Sequence, residues 1–367
     1  MKNLNEVVES RLRERINRGK QVATTVVQRI ADESMRSKDS IGFVGKGQIN
    51  NPPLVFDSNG VVRAILPGGD GVHIHPHAVG QLGEKLGVPV SYLKSLATGS
   101  DHKKALAAKI LNDHSSWAQQ DRLLLRMVGD ELRGVVSDRY RRLNTMMILS
   151  AFLSASQEQG GEVADAHFTD TKLFVEVLQP KPLIFPTHKN GDVAIAFGAR
   201  LSSSDYGDGA LDLRFFFMQG ICLNGMVRES IFKEIHLGAK LPYNLALSEK
   251  TYMLDTETTA SAIQDMTGQL FSPARIQKQA EEIQDASAEE VDLVKELAVL
   301  TKNGQILKSE AGEVQRILMG GKADDGIQGE NTLWKLTQGI SAHSREVAPA
   351  RARELQEVAG NLFKRLK

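Results

Sequence analysis

The sequence has little that would place it outside a reducing cell interior. One of its 367 residues is a cysteine, Cys222, and a lone thiol forms neither an internal disulfide nor a cysteine-rich zinc site. Its apolar neighbours Ile221 and Leu223 predict a buried, unreactive thiol. No run approaches the roughly 18 consecutive apolar residues of a membrane span, and the charged first residues do not resemble a secretory signal. The expected location is the cytoplasm.

The chain has no net charge and few aromatic residues. Lysine plus arginine equal aspartate plus glutamate, 45 each, and Phe, Trp and Tyr make up 5% of the chain. Because the charges cancel over the whole molecule, any basic surface for nucleic acid must be local. Because aromatics are few, aliphatic side chains carry most of the core. The 41% of apolar residues is the content of a globular protein.

Hydrophobic periodicity divides the chain into three segments and predicts an α+β fold. Residues 1–40 predict a basic amphipathic helix, with apolar residues recurring at i+4. Residues 41–244 predict an α+β core, an antiparallel or mixed sheet flanked by helices. Residues 245–367 predict an all-helical C-terminal third. Short polar turns within residues 120–225 favour one antiparallel sheet there, and a helix beginning near Asn144 would permit one parallel pair.

Alternating apolar and polar residues locate the expected strands of that sheet. The turn Gly129-Asp130-Glu131 predicts that the first two strands form a hairpin. The predicted strands are Arg122–Val128, Leu132–Arg139, Ala164–Phe168, Lys172–Leu178, Asp192–Ala199 and Leu211–Met218.

Three charged stretches stand out against the neutral total. Arg11, Arg15 and Arg18 of the first helix form a basic arm, either a solvated face or a contact for a polyanion or partner subunit. Residues 281–296 are acidic and the last residues are basic again. Their opposite charges predict that C-terminal helices pack on each other or on a neighbouring subunit.

No complete catalytic or cofactor site is present. His73, His75 and His77 alternate as strand ligands would, but Pro76 breaks a strand, so a strand end with His75 or His77 capping the next helix is favoured over metal binding. Glycine-lysine fragments at 42–47 and 320–322 lack the spacing of a phosphate-binding loop. We therefore expect neither metal nor cofactor, and a non-enzyme; a hydrolase using the histidines with Asp70 is the weakest alternative.

The densest cluster of guanidinium groups follows the predicted hairpin. Clustered arginines beside an aromatic ring are typical of a groove for a phosphate backbone with base stacking. The alternative is that Asp138 pairs with an arginine while the others are solvated or lie at helix ends. The candidate nucleic-acid-binding residues are Arg126, Arg133, Arg139, Tyr140, Arg141 and Arg142.

Four segments resemble the DUF932, or phage/plasmid-like, protein family. Ser137-Asp138-Arg139-Tyr140-Arg141-Arg142-Leu143 is similar to its S-D-R-Y-R-x-L signature. The other three are the helix from His77 to Leu82 with its Leu86-Gly87-Val88-Pro89 turn, the segment Gly220–Gly225, in which the expected arginine is displaced if it is Arg214, and the Trp-containing helix around Trp334. Members of this family are typical of phages and plasmids, which implies a bacterial host cell.

The resemblance and the arginines together predict a nucleic-acid-binding accessory protein of a mobile element. By analogy with the single-strand annealing proteins of phages, we expect single-stranded DNA binding or annealing in replication or recombination, and homo-oligomers. The alternative is a non-enzymatic regulator that binds a host protein through the acidic helices between Glu281 and Glu296.

Overall fold

The computed structural model describes residues 4–45, 51–66, 69, 71–119, 121–141, 143–220, 223–234, 247–320 and 327–366. Within these ranges the chain forms two six-stranded sheets with helices packed on them, and the region after residue 248 is helical. The predicted α+β class with a helical C-terminal third is confirmed.

The first sheet has the strand order β1-β5-β6-β4-β3-β2. Its neighbouring strands are antiparallel except for β4 and β6, which run parallel. Three helices and this sheet share one apolar core. The elements are β1 (Ser37–Val44), β2 (Val55–Asn59), β3 (Val61–Ile65), β4 (Gly71–Ile74), α2 (Pro76–Leu86), α3 (Val90–Ala97), α4 (Asp101–Trp117), β5 (Asp121–Val128) and β6 (Glu131–Ser137).

The second sheet is antiparallel throughout, with the order β12-β11-β10-β8-β7 and a short strand β9 paired to β10. Helix α5 precedes this sheet in the chain. Asn144 caps the helix by accepting a hydrogen bond from the Met147 amide at 3.2 Å. The elements are α5 (Thr145–Glu158), β7 (Glu162–Phe168), β8 (Leu173–Leu178), β9 (Leu183–Pro186), β10 (Asp192–Ser203), β11 (Leu211–Gln219) and β12 (Asn224–Glu234).

The prediction of one sheet over residues 120–225 is wrong. The hairpin of β5 and β6 pairs outward with β1 and β4, which come from earlier in the chain, and α5 then carries the chain to the second sheet. The parallel pair is β4 with β6 and does not involve the helix that begins after Asn144. Local alternation located the strands but carried no information on which distant strand each one pairs with.

Helix α1 (Leu4–Arg36) bridges two cores. Val8, Leu12 and Ile16 pack on one face of the second sheet, whereas Val26 and Ile30 join the larger core on its other side. Between the two groups the helix crosses β7 at Gly19, where a Cβ would lie 2.4 Å from the carbonyl carbon of Ala164. The glycine that interrupts the apolar pattern therefore permits backbone contact between helix and strand.

Six further α-helices follow among the described residues of the C-terminal third, and they pack with the second sheet and α5 around Trp334, Phe217 and Phe363. None of the helices in the described ranges has the length and apolar content needed to cross a membrane. The helices are α6 (Glu249–Leu270), α7 (Pro273–Ala288), α8 (Leu293–Lys302), α9 (Lys308–Gly320), α10 (Leu333–His343) and α11 (Pro349–Leu362).

Candidate anion-binding cleft

The hairpin arginine Arg126 makes hydrogen bonds within the protein. Its Nε donates to Oδ1 of Asp39 at 3.1 Å and its Nη1 donates to the carbonyl oxygen of Asp205 at 2.6 Å. The side chain is 12% exposed. Asp205 belongs to the loop between β10 and β11 (residues 204–210), so Arg126 ties the first sheet to the second.

Arg133 and Arg141 are also held by carboxylates. Arg133 donates from Nε to Glu131 and from Nη1 to Glu33, each at 2.8 Å. Arg141 donates to both carboxylate oxygens of Asp255 in α6, at 2.8 Å from Nε and 2.5 Å from Nη2. The bidentate pair of Arg141 with Asp255 fixes both partners, and both guanidinium groups connect separate elements of the fold.

Tyr140 is buried, and the base-stacking role predicted for it does not fit this placement. Its hydroxyl donates to the carbonyl oxygen of Ser204 at 2.6 Å and accepts from the Gly207 amide at 3.3 Å. Burial raises the pKa of the phenol, so it stays a hydrogen-bond donor to the β10–β11 loop. The ring is covered because the loop lies against the strand that Tyr140 follows.

The predicted hairpin residues therefore do not meet in one groove. Arg139 is exposed on the turn after β6, and Arg142 lies outside the described residues. Asp138 approaches Arg122, with Oδ2 and Nε 4.0 Å apart. The contact agrees with the alternative interpretation of the segment, in which Asp138 pairs with an arginine. Arg126, Arg133 and Arg141 have carboxylate partners as well.

The N-terminal basic arm is only partly available. Arg15 lies over the second sheet, 3.2 Å from Oε2 of Glu176. Arg18 is exposed and approaches Glu14 at 3.9 Å on the same helix. Arg11 is half-buried and has a partner of its own. The basic arm is therefore mainly a helix surface, which faces solvent at Arg18 and the second sheet at Arg15.

Acids between Glu281 and Glu296 also have internal partners. Glu282 pairs with Arg228 of β12, and Glu296 pairs with Arg365 near the C-terminus. The second contact is the complementary packing of C-terminal charges that the sequence predicts. These contacts leave less of the acidic stretch for a host protein.

The histidine segment is a strand end followed by a helix cap. His75 Nδ1 accepts from the His77 amide at 3.2 Å at the start of α2. Nε2 of His77 lies 3.0 Å from the carbonyl oxygen of Tyr206. Within the described ranges no three His, Cys, Asp or Glu side chains are grouped to hold a metal ion; Asp70 and Cys222 lie outside those ranges.

Two segments that carry the family resemblance converge on the β10–β11 loop. His77 and Gln81 of α2 both contact the carbonyl oxygen of Tyr206, Gln81 donating to it at 2.8 Å. Tyr140 binds the same loop at Ser204. The motif residues thus position a loop rather than a reaction centre, and the loop ends in Gly209 and Ala210 at the rim of a basic cleft.

A charged row crosses the face of the second sheet beneath that cleft. Asp165, Glu176, Arg200 and Arg214 lie side by side on β7, β8, β10 and β11, because their positions are in register. Although burial opposes it, Arg200 and Arg15 lower the pKa of Glu176 below its ordinary value. The carboxylate is therefore ionised and compensates one of the two strand arginines.

The cleft consists of two pockets that share Gly209, Ala210 and Lys233. The inner pocket, of about 210 Å³, has the strands of the second sheet as its floor and α11 as a wall. The outer pocket, of about 490 Å³, lies between this edge and α2 with β6 of the first sheet. Six basic side chains line the two pockets: Lys85, Lys172, Arg200, Arg214, Lys233 and Arg353.

Arg200 provides donors that the protein does not use. The residue is 4% exposed, and its Nη2 donates to Glu176 and Gln356. Its buried Nε and Nη1 have no acceptor, although the guanidinium carbon lies 5.0 Å from the centre of the Phe216 ring. Buried donors without an acceptor are uncommon and costly, and Arg200 lines the inner pocket.

Arg353 of α11 stands opposite Arg200 without an ion pair to any described residue. Its guanidinium carbon lies 3.9 Å from the centre of the Phe174 ring, and Nζ of Lys172 lies 5.2 Å from the same centre. Burial, with repulsion from Arg200, lowers the pKa of Arg353, and attraction to Glu176 and Asp165 only partly offsets these effects. A bound anion would relieve this repulsion, because two cations face one small volume.

Arg214, like Arg200, is a cation of the inner pocket that carboxylates compensate. It donates to Asp212 at 2.6 Å and approaches Glu357 at 2.8 Å. In the outer pocket burial lowers the pKa of Lys85, and Val136 and Ala210 add apolar surface. The cleft therefore combines uncompensated positive charge inside with a wider, partly apolar mouth.

The sequence gives only one signal of this site. Asp212 and Arg214 occupy alternate positions just before the phenylalanines of β11, which marks a polar pair on an otherwise apolar strand. The basic residues of the cleft lie between positions 85 and 353, and each has an ordinary local context. Only the sheet register and the placement of α11 bring them together.

Neither a family model, nor a curated protein, nor a solved structure matches this chain. The resemblance to the DUF932 family stays a prediction.

Proposed function

We propose that the protein binds single-stranded nucleic acid through the basic cleft. The observation that carries the proposal is Arg353, which is half-buried beside Arg200 and without an ion pair to any described residue. Lysine and arginine side chains that neutralise phosphates supply most of the affinity for a polynucleotide. The proposed nucleic-acid surface moves from the hairpin to the cleft because carboxylates already pair with Arg126, Arg133 and Arg141.

The shape of the cleft favours a flexible strand over a duplex. Its inner pocket lies between the sheet and α11, and its outer pocket is lined by Val136 and Ala210 beside Lys85. A single strand can turn one phosphate inward and place a sugar or base on apolar surface, whereas a paired base remains in its stack. Contacts to phosphate rather than to base edges imply little sequence preference.

The cellular part of the proposal rests on the family resemblance. It describes a phage- or plasmid-type accessory protein that acts on single strands in replication or recombination, with the annealing proteins of phages as functional analogues. It also includes homo-oligomers and action in the cytoplasm of a bacterial host.

The direct test is the binding of an internally labelled oligodeoxythymidylate, followed by fluorescence anisotropy at about 50 mM salt, where screening is moderate. We expect binding that weakens with salt by about 0.7 logarithmic units per tenfold salt for each phosphate contact. The double variant Lys172→Gln/Arg353→Gln should bind about tenfold or more weakly, with a slope flatter by one to two contacts.

A charge-matched control separates the cleft from general electrostatics. Lys181 and Lys278 are exposed, line neither pocket and have no ion pair to a described residue, so Lys181→Gln/Lys278→Gln should keep the parent affinity within about twofold. Arg139→Ala tests the exposed hairpin arginine in the same assay. An unmodified protein that binds no oligonucleotide at low salt contradicts the proposed function.

A further inference from the structure

The two pockets differ in size and in charge. The inner pocket is about 210 Å³ and is lined by five basic side chains, whereas the outer pocket is about 490 Å³ and is lined by two, Lys85 and Lys233. Gly209, Ala210 and Lys233 line both pockets, so a group bound in one would lie beside a group bound in the other. A small charged group such as a phosphate therefore fits the inner pocket better, and a larger nucleoside fits the outer one.

The charge of the inner pocket exceeds what one phosphodiester neutralises. Five basic side chains line it: Lys172, Arg200, Arg214, Lys233 and Arg353. Asp212 and Glu357 pair with Arg214, and Glu176 pairs with Arg200. Set against these three carboxylates, the five cations leave an excess of two positive charges. A phosphodiester carries one negative charge, whereas a phosphomonoester carries about 1.5 to 2 at neutral pH.

We infer that the inner pocket binds a phosphomonoester, the terminal phosphate of a nucleic-acid strand, with the adjoining nucleoside in the outer pocket. This inference rests on the proposed function and narrows it to strand ends. A monoester has one substituent to direct through the mouth of the pocket, whereas an internal phosphate has two. It also offers three terminal oxygens to the donors around it.

Arg200 and Arg353 are the side chains that would recognise the extra charge. Arg200 adds positive charge from a fixed position in β10, where its Nε and Nη1 are buried and have no acceptor. Arg353 stands on α11 with its guanidinium on the Phe174 ring, and Lys172 lies over the same ring. A guanidinium held in place loses little freedom on binding and can donate two parallel hydrogen bonds to phosphate oxygens.

The test compares three oligonucleotides of one sequence, internally labelled, that carry a 5′-phosphate, a 3′-phosphate or hydroxyls at both ends. One phosphorylated end should bind at least about tenfold more tightly than the hydroxyl form, the ratio expected for charge-assisted hydrogen bonds. Lys172→Gln/Arg353→Gln should abolish the preference and Lys181→Gln/Lys278→Gln should retain it. A thymidine mononucleotide is tested in competition, because a free nucleotide carries the same group.

The outcomes separate this inference from the proposed function. If all three oligonucleotides bind equally, the terminal-phosphate inference is wrong while single-strand binding stands. If the mononucleotide binds and none of the oligonucleotides does, the proposed function is wrong and the pocket is a site for free nucleotides. A preference that survives in the cleft variant places the phosphate elsewhere and overturns the assignment of Arg353.

Discussion

The arginines of the hairpin segment and the arginines of the cleft have different surroundings. After the hairpin, Arg141 meets both oxygens of Asp255, and within it Arg133 lies between two glutamates. Around the cleft, Arg353 faces Arg200 and contacts an aromatic ring. The hairpin group is dense along the sequence, and the cleft group is dispersed over it. Density of arginine therefore does not show which guanidinium groups are available to a ligand.

The largest expected effect is at Glu176, which compensates Arg200 within the charged row. Glu176→Ala leaves the guanidinium of a residue that is 4% exposed without its carboxylate, which should cost about 3–5 kcal/mol of unfolding free energy. Urea unfolding followed by circular dichroism measures it. A loss below about 1 kcal/mol would show that the row is solvated and that Arg200 resembles a surface arginine.

The same pair has a pH dependence with a defined sign. Because the pKa of Glu176 is lowered in the folded protein, its contribution is present above the ordinary glutamate pKa of about 4.3 and is lost as pH falls through the folded value. The difference in unfolding free energy between the parent and Glu176→Gln should therefore shrink between pH 6 and pH 3. A constant difference would contradict ion pairing as its source.

The next largest effect is expected at the cleft, where the cations should contribute to binding and not to stability. Lys172→Gln/Arg353→Gln should lower oligonucleotide affinity about tenfold or more while leaving the unfolding free energy within about 0.5 kcal/mol, because repulsion with Arg200 is relieved. Anisotropy and urea unfolding on the same preparation measure both. Loss of stability with unchanged affinity would reverse the comparison.

Arg141→Ala should behave in the opposite way. Its pair with Asp255 is part-buried, so the variant should lose about 1–2 kcal/mol of unfolding free energy. Its affinity for the oligonucleotide should stay within about twofold. A clear drop in affinity without loss of stability would restore the hairpin as a nucleic-acid surface.

Arg18→Ala should have the smallest effect. The side chain is 66% exposed and lies 3.9 Å from Glu14 on the same helix, and such pairs contribute about 0.3–0.5 kcal/mol at most. Thermal unfolding at matched salt measures the change. A larger loss would mean that Arg18 has a role beyond the helix surface, as in a subunit contact.

Local elements were largely predictable and their pairing was not. The i+4 spacing from Val8 to Ile16 predicts α1, and Gly129-Asp130-Glu131 predicts the hairpin of β5 and β6. Strand β1 was not predicted, because its sequence, Ser37–Val44, has no clean alternation and its partner Asp121–Val128 lies far along the chain. Register between distant strands depends on the whole core, which a local pattern does not contain.

The candidate site was harder to predict for the same reason. In the segment after the hairpin the sequence shows that three arginines are close, but it does not show Asp255, which neutralises Arg141 from more than a hundred residues away. At the cleft it shows single cations such as Lys172 and Arg353, whose shared ring contact arises only when α11 packs near β8. Compensation and exposure are both long-range properties.

The path of α1 has a consequence for synthesis on the ribosome. Val8, Leu12 and Ile16 pack against residues that include Ala164 and Val227, so their partners emerge long after the helix does. At about 5–20 residues per second, the gap of about 150 residues from Ile16 to Ala164 lasts on the order of ten seconds. During that interval the apolar side of the helix has no sheet to cover it. We expect the nascent chain to depend on a holding chaperone until the second sheet has been translated.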